Sequence, residues 1–244
     1  VYKRQHTLKP YPRAWLVRSC FVDEPQVHIG ILEGKQKSII WNDILSGRAE
    51  MSHFYWKPNK GDNITLEVSS NCDEVELFQN GRSLGTKQNN RQDDKAQNKF
   101  LWEDISWQPG KVIAVARNNG KEVARHELQS PGKAVRLKAE IEDEGNWYAD
   151  GMDLQFIRFT VVDSKGEPVD NFKGNLAIHI DGEAKLLALD NGNHFTDRNL
   201  ESATTSLYRG GALLILRSTR NSGTVKVKAS ILGIKGSELL LKTK

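Results

Sequence analysis

Apolar and polar positions alternate with a period of two along much of the chain. Ile64, Leu66 and Val68 fall on one phase, as do Val75 and Leu77, and again Val135, Leu137, Ala139 and Ile141. A period of two sends successive side chains to opposite faces of an extended backbone, so each run predicts a strand with one face in a core. Further strands are predicted over 112–116, 154–162, 176–180, 212–217 and 225–229. No run of comparable length has helical spacing. Turn pairs punctuate the runs at Asn80-Gly81, Pro109-Gly110, Asn119-Gly120, Lys165-Gly166, Asn191-Gly192 and Ser222-Gly223. Asn-Gly between apolar runs favours a tight hairpin because both residues tolerate positive φ. Short strands, frequent turns and no crossover helices predict an all-β fold of two tandem immunoglobulin-like antiparallel β-sandwiches.

Two sandwiches rather than one follow from length, since 244 residues is more than twice the size of one such domain, about 100 residues. The stretch 129–133, Gln-Ser-Pro-Gly-Lys, has no apolar anchor and reads as the linker. The first sandwich is then expected over 23–128 and the second over 134–244. Residues 1–22 belong to neither. Val1-Tyr2-Lys3-Arg4-Gln5 reads like a translated sequencing adapter, so residues 1–5 are expected to be a scar and the remainder the tail of a preceding domain.

Composition narrows the function classes. With 38% hydrophobic and 27% charged residues, the chain has enough apolar surface to offset the entropy of folding. Its 35 Lys and Arg against 31 Asp and Glu leave a net charge of +4, spread without a basic block, which argues against a nucleic-acid partner. No apolar run reaches the ~18 residues of a membrane span, so no membrane partner is expected. Cys20 and Cys72 are read as two buried free thiols, because their spacing fits neither a zinc site nor a disulfide framework. No cofactor is implied.

The run Ser70-Asn71-Cys72-Asp73-Glu74-Val75-Glu76-Leu77-Phe78-Gln79-Asn80-Gly81-Arg82-Ser83-Leu84-Gly85 resembles a strand–turn–strand that follows the catalytic barrel in glycoside hydrolase family 2, in enzymes of the β-galactosidase type. Asp23-Glu24-Pro25-Gln26-Val27-His28-Ile29 is similar to that family's lead into the domain, and Trp107 to Ala116 to a later strand. Ala149-Asp150-Gly151-Met152-Asp153-Leu154 and Leu189-Asp190-Asn191-Gly192-Asn193 are similar to the family's last sandwich. The resemblance implies a non-catalytic scaffold and positioning role beside a preceding catalytic barrel of the same polypeptide, in a bacterial, periplasmic or secreted setting. The two catalytic Glu of such an enzyme stand on barrel strands, and no alternating strand–helix pattern is present here to carry them.

Glu74, Glu76 and Glu103 sit at strand-face or turn positions and read as surface. His28 and His179 fall inside strand patterns and read as core or sheet residues. Two segments invite a binding role. Trp41, His53, Tyr55 and Trp56 flank a polar insertion over 31–56, where aromatic rings could stack on the C–H faces of a glycan or fill the core, leaving a carbohydrate-binding module as the alternative function. Asp190, Asn191, Asn193 and Asp197 form an oxygen-rich loop that could hold calcium or be a hairpin turn. Trp147-Tyr148 reads as a hydrophobic plug at a strand edge.

Overall fold

The computed structural model describes residues 12–33, 50–52, 61–142, 144–193 and 199–244. It is almost entirely β, with four antiparallel four-stranded sheets. The chain divides into two compact units between Ser130 and Pro131, each with two of the sheets and its own core.

The first unit opens with α1 (Pro12–Ser19), then β1 (Val27–Glu33), β2 (Glu50–Ser52), β3 (Asn63–Ser70), β4 (Glu74–Gln79), β5 (Arg82–Gln88), β6 (Lys99–Ser106), β7 (Lys111–Asn118) and β8 (Lys121–Gln129). One sheet has the order β2-β1-β3-β6 and the other β5-β4-β7-β8. Alternation along the central strands delivers Ile29, Ile31, Ile64, Leu66, Val68, Val75, Leu77, Val112 and Ala114 to the core between them, with Phe100 and Trp102 from β6. The hairpins β4–β5 and β7–β8 turn on Asn80-Gly81 (φ 52° and 83°) and Asn119-Gly120 (φ 50° and 75°). Successive positive φ values match the right-handed twist of the flanking strands.

The helix α1 departs from the sequence reading, which placed no helix here. Eight residues are too few for a periodic signal, and α1 is set by its ends: Pro12 at the first position, where a missing N–H costs nothing, and Ser19 Oγ donating to the Leu16 carbonyl at 2.6 Å. The reading of two buried thiols needs a second correction. Cys72 is buried, but Cys20 leaves the helix on its solvent side and is exposed.

The second unit contains β9 (Arg136–Ile141), β10 (Leu154–Val162), β11 (Asn175–Gly182), β12 (Ala184–Asp190), β13 (Thr204–Ser206), β14 (Gly211–Ser218), β15 (Gly223–Ser230) and β16 (Ser237–Thr243). Its sheets run β12-β14-β10-β9 and β13-β11-β15-β16. Phe159, Ile157, Leu176, Leu189, Leu214, Leu216, Val225 and Val227 fill the space between them, and Trp147 closes one end. One residue, Glu183, separates β11 from β12, yet those strands lie in different sheets, so the chain turns the corner of the sandwich at Gly182-Glu183. The opposite edge is joined by a parallel bridge between Arg136 and Lys235, where Leu137 N donates to Lys235 O at 2.8 Å.

Candidate functional site

The outer face of the β2-β1-β3-β6 sheet holds an unusual buried group. Because Leu66 and Val68 point into the core, Glu67 points the other way, beneath α1, and is only 4% exposed. Burial pushes its carboxyl above the ordinary value, against the pull of Arg13 and Lys99. Beside it, Trp15 stacks on His28 with centroids 4.6 Å apart, and His28 meets His126 at 4.2 Å. Among the described residues β2 pairs with Ile31–Glu33, and the Ile29 amide donates to His126 Nδ1 at 3.1 Å. A ring that accepts at Nδ1 is neutral, with its hydrogen on Nε2. Burial lowers the His126 pKa from 6.5 and favours that state.

These shifts give opposite slopes of stability with pH. Unfolded His126 takes a proton near pH 6.5 while the folded ring resists, so its contribution is lost as pH falls below about 6.5. His126→Gln, which keeps an acceptor for Ile29, should flatten that limb of a Tm-against-pH curve. Glu67, raised from 4.5, binds its proton more tightly when folded, so its contribution is lost as pH rises above 4.5. Glu67→Gln should therefore raise Tm near neutrality relative to the parent chain. An unchanged acid limb in His126→Gln would show that this ring does not titrate there.

The polar residues of the 70–85 run work as staples. Asn71 accepts from Gln26 N at 2.9 Å and donates to the carbonyls of Val22 and Glu24, both at 2.9 Å, fixing the segment that leads into β1. Ser70 Oγ donates to Gln26 O at 2.6 Å. Asp73 accepts from Asn119 N at 3.1 Å and Arg91 at 3.0 Å. Asn80 accepts from Lys111 N at 2.8 Å and donates to Pro109 O at 3.0 Å. The residue types of this run are thus explained by backbone groups that would otherwise lack partners.

Of the residues singled out in the sequence, Trp41, His53, Tyr55, Trp56 and Asp197 lie outside the described residues. Asp190 Oδ1 accepts from Gly192 N at 2.9 Å, and Asn191 donates to Ser206 O at 2.6 Å and accepts from Asn193 N at 2.9 Å. The hairpin reading of Asn191-Gly192 is corrected: β12 and the next strand, β13, belong to different sheets, so the turn begins a crossing between sheets. His28 is buried, whereas His179 is exposed on β11. Trp147 is buried, and Tyr148 beside it is 55% exposed.

A cleft of about 470 Å³ opens at the edge of the first unit where β5 and β6 are the outermost strands of their sheets. Gln79, Asn80, Arg82, Leu84, Asp104 and Gln108 line it, with Ile105 and Ser106 from β6. Gln79 Nε2 donates across it to Ser106 O at 3.1 Å. Two bulges flank the opening. The register of β3 on β6 slips between Ile64 and Leu66, with Asp104 at φ 53°, and that of β4 on β5 slips between Glu76 and Phe78, with Gly85 at φ 100°. Sequence reasoning missed this cleft because its walls come from two separate segments and neither bulge has an apolar signature.

Residues 137–239 match the family described as glycoside hydrolase family 2 C-terminal domain 5, and residues 61–124 match a domain family of unknown function. A β-galactosidase of Bacteroides ovatus is 29% identical over 188 residues, 77% of this chain and 21% of that protein. A β-glucuronidase of Formosa agariphila is 27% identical over 191 residues, 78% of this chain and 19% of its own length. The chain thus spans about a fifth of these relatives. Among solved structures, a glycosyl hydrolase family 2 member from Bacteroides cellulosilyticus superposes with a TM-score of 0.87 at 28% identity, over 98% of this chain and 31% of that one. A family 2 β-glucuronidase gives 0.76 at 25% identity, over 97% and 22%.

Proposed function

From its membership in the C-terminal β-sandwich domains of glycoside hydrolase family 2, we infer that this chain is the non-catalytic C-terminal scaffold of a longer enzyme that hydrolyses terminal β-linked sugars, of the galactoside or glucuronide type. The observation that carries the reading is the match of the chain to a minor fraction of each relative, across both sandwiches. The carboxylates described here support it. A retaining glycosidase needs a general acid and a nucleophile about 5–5.5 Å apart, the acid with a raised pKa. Glu76 instead pairs with Arg117 at 2.9 Å, Glu74 accepts from Gln88 at 2.7 Å, and Glu122 and Glu238 are held below their ordinary values by bonds to Arg125 and Lys226. Glu67, whose pKa is raised by burial, sits beneath α1 with Arg13 and Lys99 as charged neighbours.

The test compares this chain with a longer polypeptide from the same gene, using nitrophenyl β-galactoside and β-glucuronide. The longer polypeptide should release nitrophenol, and this chain alone should not. Turnover by this chain, abolished by Glu67→Gln, would overturn the assignment, as would an inactive longer polypeptide that folds.

A further inference from the structure

We propose that the cleft between β5 and β6 binds a neutral saccharide. Three side chains in it, Arg82, Asp104 and Gln108, make no hydrogen bond or ion pair among the described residues, although guanidinium and carboxylate line the same space. The remaining polar walls are fixed: both polar atoms of the Asn80 side chain are engaged by the Pro109–Lys111 backbone, and Gln79 is tied to Ser106. The fixed frame limits the ordering cost of binding to the three free side chains.

The chemistry of the free groups selects the ligand. A pyranose ring offers an apolar C–H face and neighbouring hydroxyls that both donate and accept. Half-buried Leu84 and Ile105 supply an apolar floor, the Asp104 carboxylate accepts from two adjacent hydroxyls, the Arg82 guanidinium donates to hydroxyl oxygens, and the Gln108 amide does both. One positive and one negative group nearly cancel, so the cleft has little net field to favour an ion over a polyol. The volume, about 470 Å³, lies within the range of small-ligand sites, about 300–1,000 Å³. Asp104 owes its position to the bulge: two residues of β6, Glu103 and Asp104, lie opposite Thr65 alone, and bulges at sheet edges re-aim side chains out of the strand alternation.

The test is a titration of the full chain with galactose, glucose, lactose and glucuronate, followed by backbone amide NMR shifts. A neutral sugar should saturate with a Kd of order 1 mM and move amides of 79–84 and 104–108. Asp104→Asn, which tolerates the left-handed backbone, and Arg82→Gln should each weaken it at least about tenfold. Glu103→Gln, on the neighbouring exposed position, should bind as the parent does. Failure to saturate, unchanged affinity in both cleft variants, tighter binding of glucuronate, or loss confined to Trp41→Ala or Trp56→Ala would each overturn the proposal. The titration involves no turnover, so its failure leaves the scaffold assignment standing, and an inactive longer polypeptide would leave the cleft standing.

Discussion

Gly182→Ala should destabilise the second sandwich by at least about 3 kcal/mol, the largest effect of any glycine substitution discussed here. Two costs add. Gly182 has φ 104°, a backbone conformation that a side chain disfavours by roughly 1–2 kcal/mol. Its Cβ would also stand 2.0 Å from the Thr224 carbonyl oxygen and 3.2 Å from Val225 Cα, so β15 would have to move away from β11 and give up its pairing there. Backbone cannot rotate aside as a flexible side chain can. The corner is held on its other side too, by Thr219, whose N donates to Glu183 O at 3.2 Å and whose Oγ1 donates to Glu183 Oε2 at 2.6 Å. Gly166→Ala is the control, since at φ 92° it meets nothing nearer than an Arg136 nitrogen at 3.9 Å and should lose only about 1 kcal/mol. Urea midpoints with hydrogen exchange in β11 and β15 make the comparison. Equal losses in the two variants would mean that β15 yields freely to a methyl group.

Trp147→Ala should cost about 4 kcal/mol. The indole is 3% exposed against the core of the second sandwich, although it stands on a loop rather than a strand. Its Nε1 donates to Asp153 O at 3.1 Å, and its carbonyl accepts from Lys244 N at 2.9 Å. Removing the ring opens a cavity that backbone pinned on both sides cannot close. Trp147→Phe keeps most of the apolar area and removes one of two donors to Asp153 O, which still accepts from Ser218 N at 3.0 Å, so about 1 kcal/mol is expected. Calorimetry of the full chain, with the transitions assigned by exchange, reads both. A loss under about 1 kcal/mol for the alanine variant would mean that the loop collapses into the space.

The contrast between these two sites shows what a sequence makes legible. Trp147 was readable as a plug because a large apolar residue beside Asp and Gly turn residues has little alternative to burial. Strands β3, β4, β9 and β10 were readable for the same reason: one face of each must avoid water, and period two records it. Edge strands β5 and β8 have polar residues on both faces, so no alternation marks them. Gly182 lies in none of the turn pairs read from the sequence, and nothing local says that the chain changes sheets there. Glu67 was not singled out in the sequence, because it lies on the outward phase of β3 and the short helix from another segment that covers it leaves no periodic trace. The cleft was hidden for a related reason, since Arg82 and Asp104 are ordinary surface charges until two bulges aim them into one space.

The seam between the ends of the second sandwich bears on how this domain is made. Lys235 N donates to Val135 O at 3.0 Å, Leu137 N to Lys235 O, and Ala149 N to Lys244 O at 2.7 Å, so the opening stretch of the domain takes backbone partners from its last ten residues. On a ribosome, which releases the chain from its N-terminal side, β9 soon meets β10, but its outer edge waits for Lys235 and the Trp147 loop for Lys244 to clear the exit tunnel. Contacts this distant in sequence must overcome a large loop-closure entropy and form slowly. The nascent domain therefore passes through its synthesis with an unpaired strand edge and an uncovered indole, the two features that chaperones and proteases recognise in unfinished chains.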